Sequence, residues 1–337
     1  MQSFLVTGGC GFIGSHLCEA LLLRGDRVRV LDDLSSGHLS NLPHRVEFQY
    51  GDVADPLAVT AALEGMDGCF HLAAIASVEM GRQDWRGTHR VNLSGTINLF
   101  DAIQRQGGHR RSAQNGAGRK IPVVYASSAA VYGDCPTLPI TEGMEKRPLS
   151  AYGADKYGCE LHAAVATHEF GIPTIGMRFF NVYGPRQDPK SPYSGVISIF
   201  CDRLSAGEPV CVFGDGLQSR DFVYVEDVTA ALVAAMIRLP AGAPVFNVCT
   251  GTPTTVLDLA RTIAALSGAA PQFRMLPARG GEVRHSIGSA QRSRDTLGLS
   301  PPLGLKEGLG HVLAWLDRQA ALTDSARLPH MEISAGL

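Results

Sequence analysis

The sequence feature that most restricts the fold is the segment Thr7-Gly8-Gly9-Cys10-Gly11-Phe12-Ile13-Gly14, which directly follows the apolar run Phe4-Leu5-Val6. An apolar periodicity typical of a helix then continues from Gly14 to Leu23. Glycines in such a strand-to-helix turn let the backbone turn tightly, approach a pyrophosphate closely and pack the helix on the strand. The pattern therefore predicts a dinucleotide-binding unit at the beginning of the chain rather than an accidental glycine turn.

Short β-branched runs alternate with helical apolar patterns through the first half of the chain. That alternation predicts βαβ units, and hence an α/β fold built on a Rossmann-type doubly wound parallel sheet. The predicted strands are residues 4–6, 28–31, 46–48, 69–72 and 123–125, and the predicted helices are residues 14–23, 55–64 and 91–106.

The second half of the chain is less regular. Helical periods at residues 196–206 and 226–239 and an apolar run at residues 210–213 are interrupted by frequent Pro and Gly. This pattern predicts a smaller α/β C-terminal lobe for the substrate.

These patterns suggest a division of the chain. We expect a dinucleotide-binding domain at residues 1–180, to which some later segments return, a mainly substrate-binding lobe at 181–321 and a flexible tail at 322–337. Residues 107–119 are polar and glycine-rich, so an exposed loop is expected there.

Composition argues against several classes of protein. The formal net charge of the 337 residues is −2, which gives no basic surface for nucleic acid, and no apolar run is long enough to span a membrane. The chain begins Met1-Gln2-Ser3 and enters an apolar strand at once, so we expect no secretory signal and a cytoplasmic location. The eight cysteines form no Cys-x-x-Cys pair, so neither a disulfide framework nor a metal site is expected.

Acidic and small side chains follow the predicted strands, at the edge where open α/β sheets bind ligands. The second strand ends at Leu31-Asp32-Asp33, about twenty residues after the glycines, where a carboxylate accepts ribose hydroxyls. Asp32 would repel the additional phosphate of NADP, so the expected cofactor is NAD.

Gly51-Asp52-Val53 and Leu72-Ala73-Ala74 follow the next two strands. Asp52 can take the adenine amino group and the alanines can admit the cofactor, although each could also be an ordinary loop residue.

Tyr152 and Lys156 lie four residues apart in a helical pattern, which places both side chains on one face. An ammonium near a phenol is expected to lower the pKa of the tyrosine towards the range of a base. A Tyr-x-x-x-Lys pair is by itself common and usually forms a solvated helix face. Here, however, the hydroxyl-rich run Tyr125-Ala126-Ser127-Ser128 ends the fifth predicted strand at the same ligand edge.

Seven segments of the chain, in order, resemble the NAD-dependent epimerase/dehydratase family of extended short-chain dehydrogenases: TGGCGFIGSHL, HLAA, YASSAAVYG, SAYGADK, RFFNVYGPRQ, SRDFVYVEDV and PARGGE. The likeness covers roughly residues 3–318, and within the family the pattern is similar to UDP-galactose and UDP-N-acetylglucosamine 4-epimerases. The resemblance implies that Ser128 is the catalytic hydroxyl, that Tyr152 is the base, and that Lys156 activates it and binds the nicotinamide ribose. It also implies a homodimer.

The resemblance extends to further contacts with both ligands. For the cofactor it implies Asp33, Ser35, Ser36, Gly37, Asn92 and Phe180. For a UDP-sugar it implies Ser77, Asn181, Val196, Phe213, Arg220, Arg279 and Glu282, with the two arginines holding the phosphates through their guanidinium donors. Simpler roles stay open, with Phe213 as a core residue, Arg220 in a surface ion pair with Asp221 or Glu226, and Arg279 as a solvated cation.

The activity implied is the epimerisation of a UDP-hexose at C4 through a transient 4-keto sugar with bound NAD. A dehydratase or decarboxylase of the same fold would need a carboxylate after the catalytic hydroxyl, where this chain has Ala129-Ala130. A 4-keto-sugar reductase usually needs exchangeable NADPH, which Asp32 disfavours. An NAD-sensing scaffold without activity would not need Ser128, Tyr152 and Lys156.

One small residue bears on the choice of sugar. In epimerases of this kind, the position seven residues after the arginine of the Arg-x-Gly-acid motif lines the pocket beside the 2-substituent, and counting from Arg279 gives Ser286. By resemblance, a tyrosine there confines the enzyme to UDP-glucose and UDP-galactose, whereas a small residue admits an N-acetyl group. The sequence therefore predicts interconversion of UDP-N-acetylglucosamine and UDP-N-acetylgalactosamine, unless Ser286 only begins a surface turn near Gly288.

Overall fold

A computed structural model of the chain describes residues 1–109, 120–189, 191, 195–268, 270, 272–278 and 283–327. At its centre is a parallel sheet of seven strands, of which six come from the first 180 residues and one from much later. These strands are β1 (Ser3–Thr7), β2 (Arg27–Asp32), β3 (Glu47–Tyr50), β4 (Gly68–His71), β5 (Val123–Ser128), β6 (Thr174–Phe179) and β10 (Val245–Val248). Their order is β3-β2-β1-β4-β5-β6-β10. The Rossmann-type sheet confirms the predicted fold class, and β6 and β10 are two strands of this sheet that the sequence analysis did not predict.

Eleven helices are formed by the described residues. They are α1 (Phe12–Leu23), α2 (Pro56–Ala62), α3 (Val78–Gln83), α4 (Trp85–His89), α5 (Gly95–His109), α6 (Ala151–Phe170), α7 (Val196–Ser205), α8 (Val225–Arg238), α9 (Val256–Ser267), α10 (Gln291–Leu297) and α11 (Leu305–Arg327). A π-helical turn, Arg90–Ser94, joins α4 to α5, and short 3₁₀ turns lie at Leu39–Asn41 and Ala129–Tyr132.

Helices cover both faces of the seven-stranded sheet, because parallel strands are apolar on both sides. α1 and α8 pack on one face around a core that includes Leu17 and Leu232. α2, α5 and α6 cover the opposite face around Leu99 and Cys159. The central strands are thereby covered on both faces, and their carboxyl ends are open to receive a ligand.

Local signals explain how α6, which carries Tyr152 and Lys156, is positioned. The side chain of Ser150 accepts a hydrogen bond from the Gly153 N–H at its beginning, and Gly171 ends it in a left-handed conformation with φ of 64°. This helix therefore starts at a fixed point, directly beside the end of β5.

The smaller lobe is built around a central strand, β9 (Ser219–Tyr224). It pairs with β7 (Asn181–Tyr183), β11 (Pro253–Thr255) and β13 (His285–Ser286). Two further strands, β8 (Val210–Phe213) and β12 (Phe273–Leu276), pair separately. α7, α9 and α11 pack on these strands around a third apolar core.

Two segments differ from the expectations for loops. α5 continues to His109, so residues 107–109 of the predicted loop 107–119 are helical, whereas residues 110–119 lie outside the described part of the chain. α11 continues to Arg327, so residues 322–327 of the predicted tail are helical, and residues 328–337 lie outside. Both helices end in polar sequence, in which apolar periodicity is too weak to mark the last turns.

Candidate active site

The candidate site lies at the carboxyl end of the seven-stranded sheet. β1 pairs with β2 on one side and with β4 on the other. After β1 the chain turns towards β2, and after β4 it turns the opposite way towards β5, so a crevice opens between the loops that follow β1 and β4. Open α/β sheets bind ligands at such a switch point. The loops after β1, β2, β4 and β5 and the beginning of α6 meet there.

The glycine-rich loop after β1 forms a cradle of backbone. Gly8 has a φ of 71°, and a side chain there would place its Cβ 2.7 Å from the backbone nitrogen of Ala73. A side chain at Gly14 would collide with the Gly8 carbonyl. Gly11 caps α1, and no side chain among the described residues caps this helix end. The first turn therefore presents its N–H groups to the crevice, and a pyrophosphate fits this cradle.

Asp32 supports the cradle from the end of β2. Its two carboxylate oxygens accept hydrogen bonds from the backbone N–H groups of Cys10 and Leu34, each at 2.9 Å. Since an ionised carboxylate accepts about four hydrogen bonds, capacity remains for the two hydroxyls of a ribose. Burial raises the pKa of Asp32 above its usual value. Together with the glycine cradle, this residue fits the adenosine and pyrophosphate half of NAD.

The loop after β2 extends the same edge of the crevice. Asp33 accepts hydrogen bonds from the backbone and hydroxyl of Ser35, at 3.0 and 2.6 Å. Ser35 and Ser36 are exposed, and Gly37 is buried against the backbone of Cys10. The structure therefore brings these predicted cofactor residues together with the glycine loop.

The residues after β3 and β4 border the crevice through their backbone. The N–H groups of Leu72 and Ala73 donate to the Thr7 carbonyl and hydroxyl, at 3.1 and 3.2 Å. Asp52 is half-buried and pairs with Arg90 at 2.8 Å. These bonds fix the loops in place, and the predicted contact of Asp52 with adenine stays a prediction.

Asn92 lies behind the crevice rather than open to it. It is 1% exposed, and its amide oxygen accepts from the Ile75 N–H at 2.8 Å while its amide nitrogen donates to the Ile75 carbonyl at 3.1 Å. Its place in the π-helical turn aims it at the loop after β4, where Ser77 caps α3. Asn92 therefore positions this loop, and its predicted place beside the ribose stays a prediction.

Ser128, Tyr152 and Lys156 come together where β5 meets α6. Ser128 ends β5, where its hydroxyl accepts a hydrogen bond from the Ala130 N–H at 3.1 Å. The same hydroxyl lies close enough to the phenol of Tyr152 to lower the pKa of that phenol in part. Lys156 is 4% exposed, and its Nζ donates to the Ala126 carbonyl at 2.9 Å. The structure thus places the Ser128 hydroxyl at the end of β5, beside the first turns of α6, where Tyr152 and Lys156 lie about one turn apart.

The predicted direction of the Tyr152 pKa is wrong for this arrangement. Burial raises the pKa of Tyr152, and the Ser128 hydroxyl offsets only part of the rise. Burial also lowers the pKa of Lys156, whose ammonium is bonded to the end of β5. The expectation failed because helical spacing gives the direction of two side chains but not their burial.

Several predicted substrate residues gather around β9. Arg220 and Ser286 are direct neighbours in the pairing of β9 with β13, and the Arg220 guanidinium donates to the Ser219 carbonyl at 2.9 Å. Phe213 ends β8, Val196 begins α7, and Asn181 is exposed at the start of β7. Arg279 and Glu282 lie outside the described residues.

Phe180 joins the two halves of the site. It is 6% exposed and packs in an apolar cluster with Val131 and Cys249, between the 3₁₀ turn after β5 and the segment after β10. A side chain at Gly288 would approach its ring to 2.6 Å. Its predicted contact with nicotinamide stays a prediction.

Asp221 entered the sequence analysis only as a possible ion-pair partner of Arg220, and the structure gives it other partners. It is fully buried and accepts hydrogen bonds from the N–H groups of Thr250, Gly251 and Gly288, at 2.7, 2.8 and 3.2 Å, and from the Thr250 hydroxyl. It therefore ties the turn after β10 to the backbone just beyond Ser286. Its position next to Arg220 could have marked it as a residue of the site, but its hydrogen-bond partners lie about 30 and 67 residues further along the chain and could not be predicted from sequence.

Comparison with known proteins shows the family of this chain. A model of the NAD dependent epimerase/dehydratase family matches residues 4–249. UDP-glucose 4-epimerase of Mycolicibacterium smegmatis is 37% identical over 92% of this chain and 96% of its own length. The chain therefore belongs to the NAD-dependent epimerase/dehydratase family, which confirms the predicted resemblance and NAD as the cofactor.

Two solved structures show the same architecture over nearly the whole chain. UDP-glucose 4-epimerase of Thermotoga maritima, with UDP-glucose, has a TM-score of 0.86 and 33% identity, covering 94% of this chain and 99% of its own. UDP-N-acetylglucosamine 4-epimerase of Methanobrevibacter ruminantium, in complex with UDP-N-acetylmuramic acid, has a TM-score of 0.86 and 31% identity with the same coverage. Among the residues described for this chain, no helix is long and apolar enough to cross a membrane.

Proposed function

We propose that this protein is a UDP-sugar 4-epimerase. The observation that carries the proposal is that Ser128 at the end of β5 and Tyr152 and Lys156 on α6 meet at the carboxyl end of the sheet, the same edge at which the glycine cradle fits NAD. Ala129 and Ala130, in the 3₁₀ turn after Ser128, supply no acid or base for eliminating water. The site therefore favours proton transfer at a single hydroxyl over dehydration.

The residues of this chain have defined parts in the proposed reaction. When bound in the cradle, NAD would supply the hydride acceptor and donor for the reaction. Tyr152 takes the proton of the sugar 4-hydroxyl, and Ser128 bridges the sugar oxygen and the phenol. The product is a 4-keto sugar, since C4 loses a hydride and its oxygen loses a proton. After the ketone turns over, Tyr152 returns the proton and C4 receives the hydride on its opposite face.

The diphosphate must stay bound while the sugar turns. We assign this role to Arg220 on β9, together with Arg279, because guanidinium groups bind phosphates through paired donors. β9 is hydrogen-bonded on both edges, by β11 and by β13, so Arg220 stands on a rigid support. The sugar can then rotate about a fixed anchor.

A homodimer is also part of the proposal. Ile97 on α5 and Leu161 and Val165 on α6 are large apolar side chains that are 38%, 54% and 46% exposed. The two helices pack against each other, so a partner subunit would cover both.

Incubation with a panel of UDP-hexoses tests the proposed activity. We expect interconversion of epimers at C4 without added cofactor, because NAD is regenerated in every cycle. NMR spectroscopy of the sugar protons distinguishes the epimers from 4-keto or dehydrated products. Accumulation of a 4-keto-6-deoxy sugar, or turnover only with added NADPH, would contradict the proposal.

We propose further that the substrates include UDP-N-acetylglucosamine and UDP-N-acetylgalactosamine. Ser286 is half-buried and lies directly beside Arg220 in the sheet, so its small side chain is next to the proposed phosphate anchor. The name of the Methanobrevibacter relative is compatible with such a substrate.

Replacement of Ser286 by tyrosine tests the choice of sugar. Ser286→Tyr is expected to abolish turnover of the acetylated sugars and to spare UDP-galactose, because filling a pocket rejects the larger substrate. The same NMR assay measures both reactions. His285→Tyr is a matched control, since His285 is exposed and its neighbour across the sheet is Ser219. Unchanged turnover of UDP-N-acetylglucosamine by Ser286→Tyr would place the pocket elsewhere.

A further inference from the structure

Arg186 has an unusual backbone for an arginine. It follows β7, the first strand of the smaller lobe, and Pro185, and its φ is 67°. Left-handed conformations are costly for residues other than glycine and persist only where surrounding contacts hold them. The contacts of the Arg186 side chain are therefore informative.

The guanidinium of Arg186 makes a two-pronged contact with Glu19. Its Nη1 and Nη2 donate to the two carboxylate oxygens at 2.9 and 2.8 Å, and its side chain is only 15% exposed. Paired charge-assisted bonds of this geometry are among the strongest that side chains form. Arg186 Nη1 also lies 3.4 Å from the Asn41 carbonyl, and its Nε lies 3.3 Å from His16 Nε2.

All these partners belong to elements that shape the cofactor cradle. Glu19 and His16 lie on α1, whose first turn faces the crevice. Asn41 donates through its amide to the Cys10 carbonyl at 2.9 Å, and the Cys10 N–H is bonded to Asp32. His16 Nε2 also lies 2.9 Å from the Pro185 carbonyl. The segment 185–186 is therefore fastened to α1 and to the loop after β2 at once.

We infer that Arg186 is a positioning residue that retains NAD, by acting as a latch that fastens the segment 185–186 to α1 and to the loop after β2, the two elements that frame the adenosine and pyrophosphate end of the cofactor site. The inference rests on the proposed function, because an epimerase regenerates NAD at each turnover and gains from slow cofactor release. It does not depend on which sugar is used. Opening the latch breaks the bonds to the Glu19 carboxylate and to the Asn41 carbonyl in one movement, since a single guanidinium makes both.

The rate at which bound NAD exchanges for radiolabelled NAD tests the latch. Arg186→Met and Glu19→Gln are each expected to raise the exchange rate about tenfold or more, the factor that a loss of about 1.4 kcal/mol produces. The double variant should exchange little faster than either single variant, because both remove the same contact. Arg186→Lys should be intermediate, since lysine keeps the charge but not the paired geometry.

A second arginine fork provides the matched control. Arg284 contacts Asp215 through both Nη atoms, at 2.8 and 2.6 Å, but it lies in the smaller lobe. Arg284→Met should leave the exchange rate of NAD unchanged. If Arg186→Met does not fold, Glu19→Gln still tests the same contact.

Four outcomes would count against the inference. Exchange at the wild-type rate in Arg186→Met, or effects that multiply in the double variant, would overturn the latch alone. Wild-type protein that releases no NAD on denaturation, or releases mainly NADP, would overturn the cofactor site together with the latch. None of these measurements depends on epimerase activity. A wrong substrate assignment would therefore be seen only in the NMR assay and not in the exchange of NAD.

Discussion

Tyr152→Phe is expected to lower turnover by at least ~100-fold, the loss that follows removal of a general base. Burial raises the pKa of the Tyr152 phenol, and the Ser128 hydroxyl offsets part of the rise. Phenylalanine has no oxygen at this position, so the variant has lost the proposed proton acceptor. Because Tyr152 must be deprotonated to act and its pKa is raised, wild-type turnover should increase as the pH rises from neutrality. Steady-state rates against pH measure both effects.

Tyr157→Phe is the matched control for this experiment. Tyr157 lies on the same helix and packs in the apolar cluster around Phe180. Its replacement by phenylalanine also removes one phenolic hydroxyl, but not the one beside Ser128. It should keep turnover close to that of the wild type. Near-normal activity of Tyr152→Phe, with unchanged thermal stability, would show that another group is the base.

Glu160→Gln should lower the free energy of unfolding by ~3–5 kcal/mol, because it leaves the Arg178 guanidinium buried without its counter-charge. The side chains are 5% and 4% exposed, and Arg178 donates to both carboxylate oxygens, at 2.8 and 2.6 Å. Ser127, the neighbour of Ser128, also donates to Glu160. Unfolding in urea, followed by tryptophan fluorescence, measures the loss.

Two further variants separate charge from packing in this experiment. Glu160→Leu combined with Arg178→Met removes both charges, and it should be more stable than Glu160→Gln alone. Glu47→Gln removes a carboxylate that is 63% exposed beside Arg29, which keeps two carbonyl partners, so its effect should be small. Equal stability losses in Glu160→Gln and Glu47→Gln would contradict the argument from burial.

The parts of the structure that could be predicted from sequence are those with local causes. The glycines after β1 are dictated by close backbone contacts within one turn, and β8 was predicted at its observed bounds because an apolar run ends at Gly214. β3 was predicted to begin one residue early, at Val46, because that apolar residue precedes the first residue that pairs with β2, Glu47. Local patterns give the type of an element more reliably than its ends.

The parts that could not be predicted depend on distant partners. β10 has only four residues, and its pairing with β6 spans a long insertion. The roles of Asp221 and Arg186 follow from bonds to residues far along the chain, which no spacing rule reveals. The direction of the Tyr152 pKa depends on burial by several elements together.

The late return of β10 to the sheet has a consequence for protein synthesis. Until residue 248 has left the ribosome, β6 is an open edge with unpaired backbone groups, which invites association with other chains. Translation adds about 5–20 residues per second, so this edge is exposed for seconds while the intervening lobe is made. The stretch matched by the family model ends at residue 249, immediately after the strand that closes the edge. A chain truncated before that strand should aggregate, even though it contains every residue of the glycine cradle and of the Ser128–Tyr152 pair.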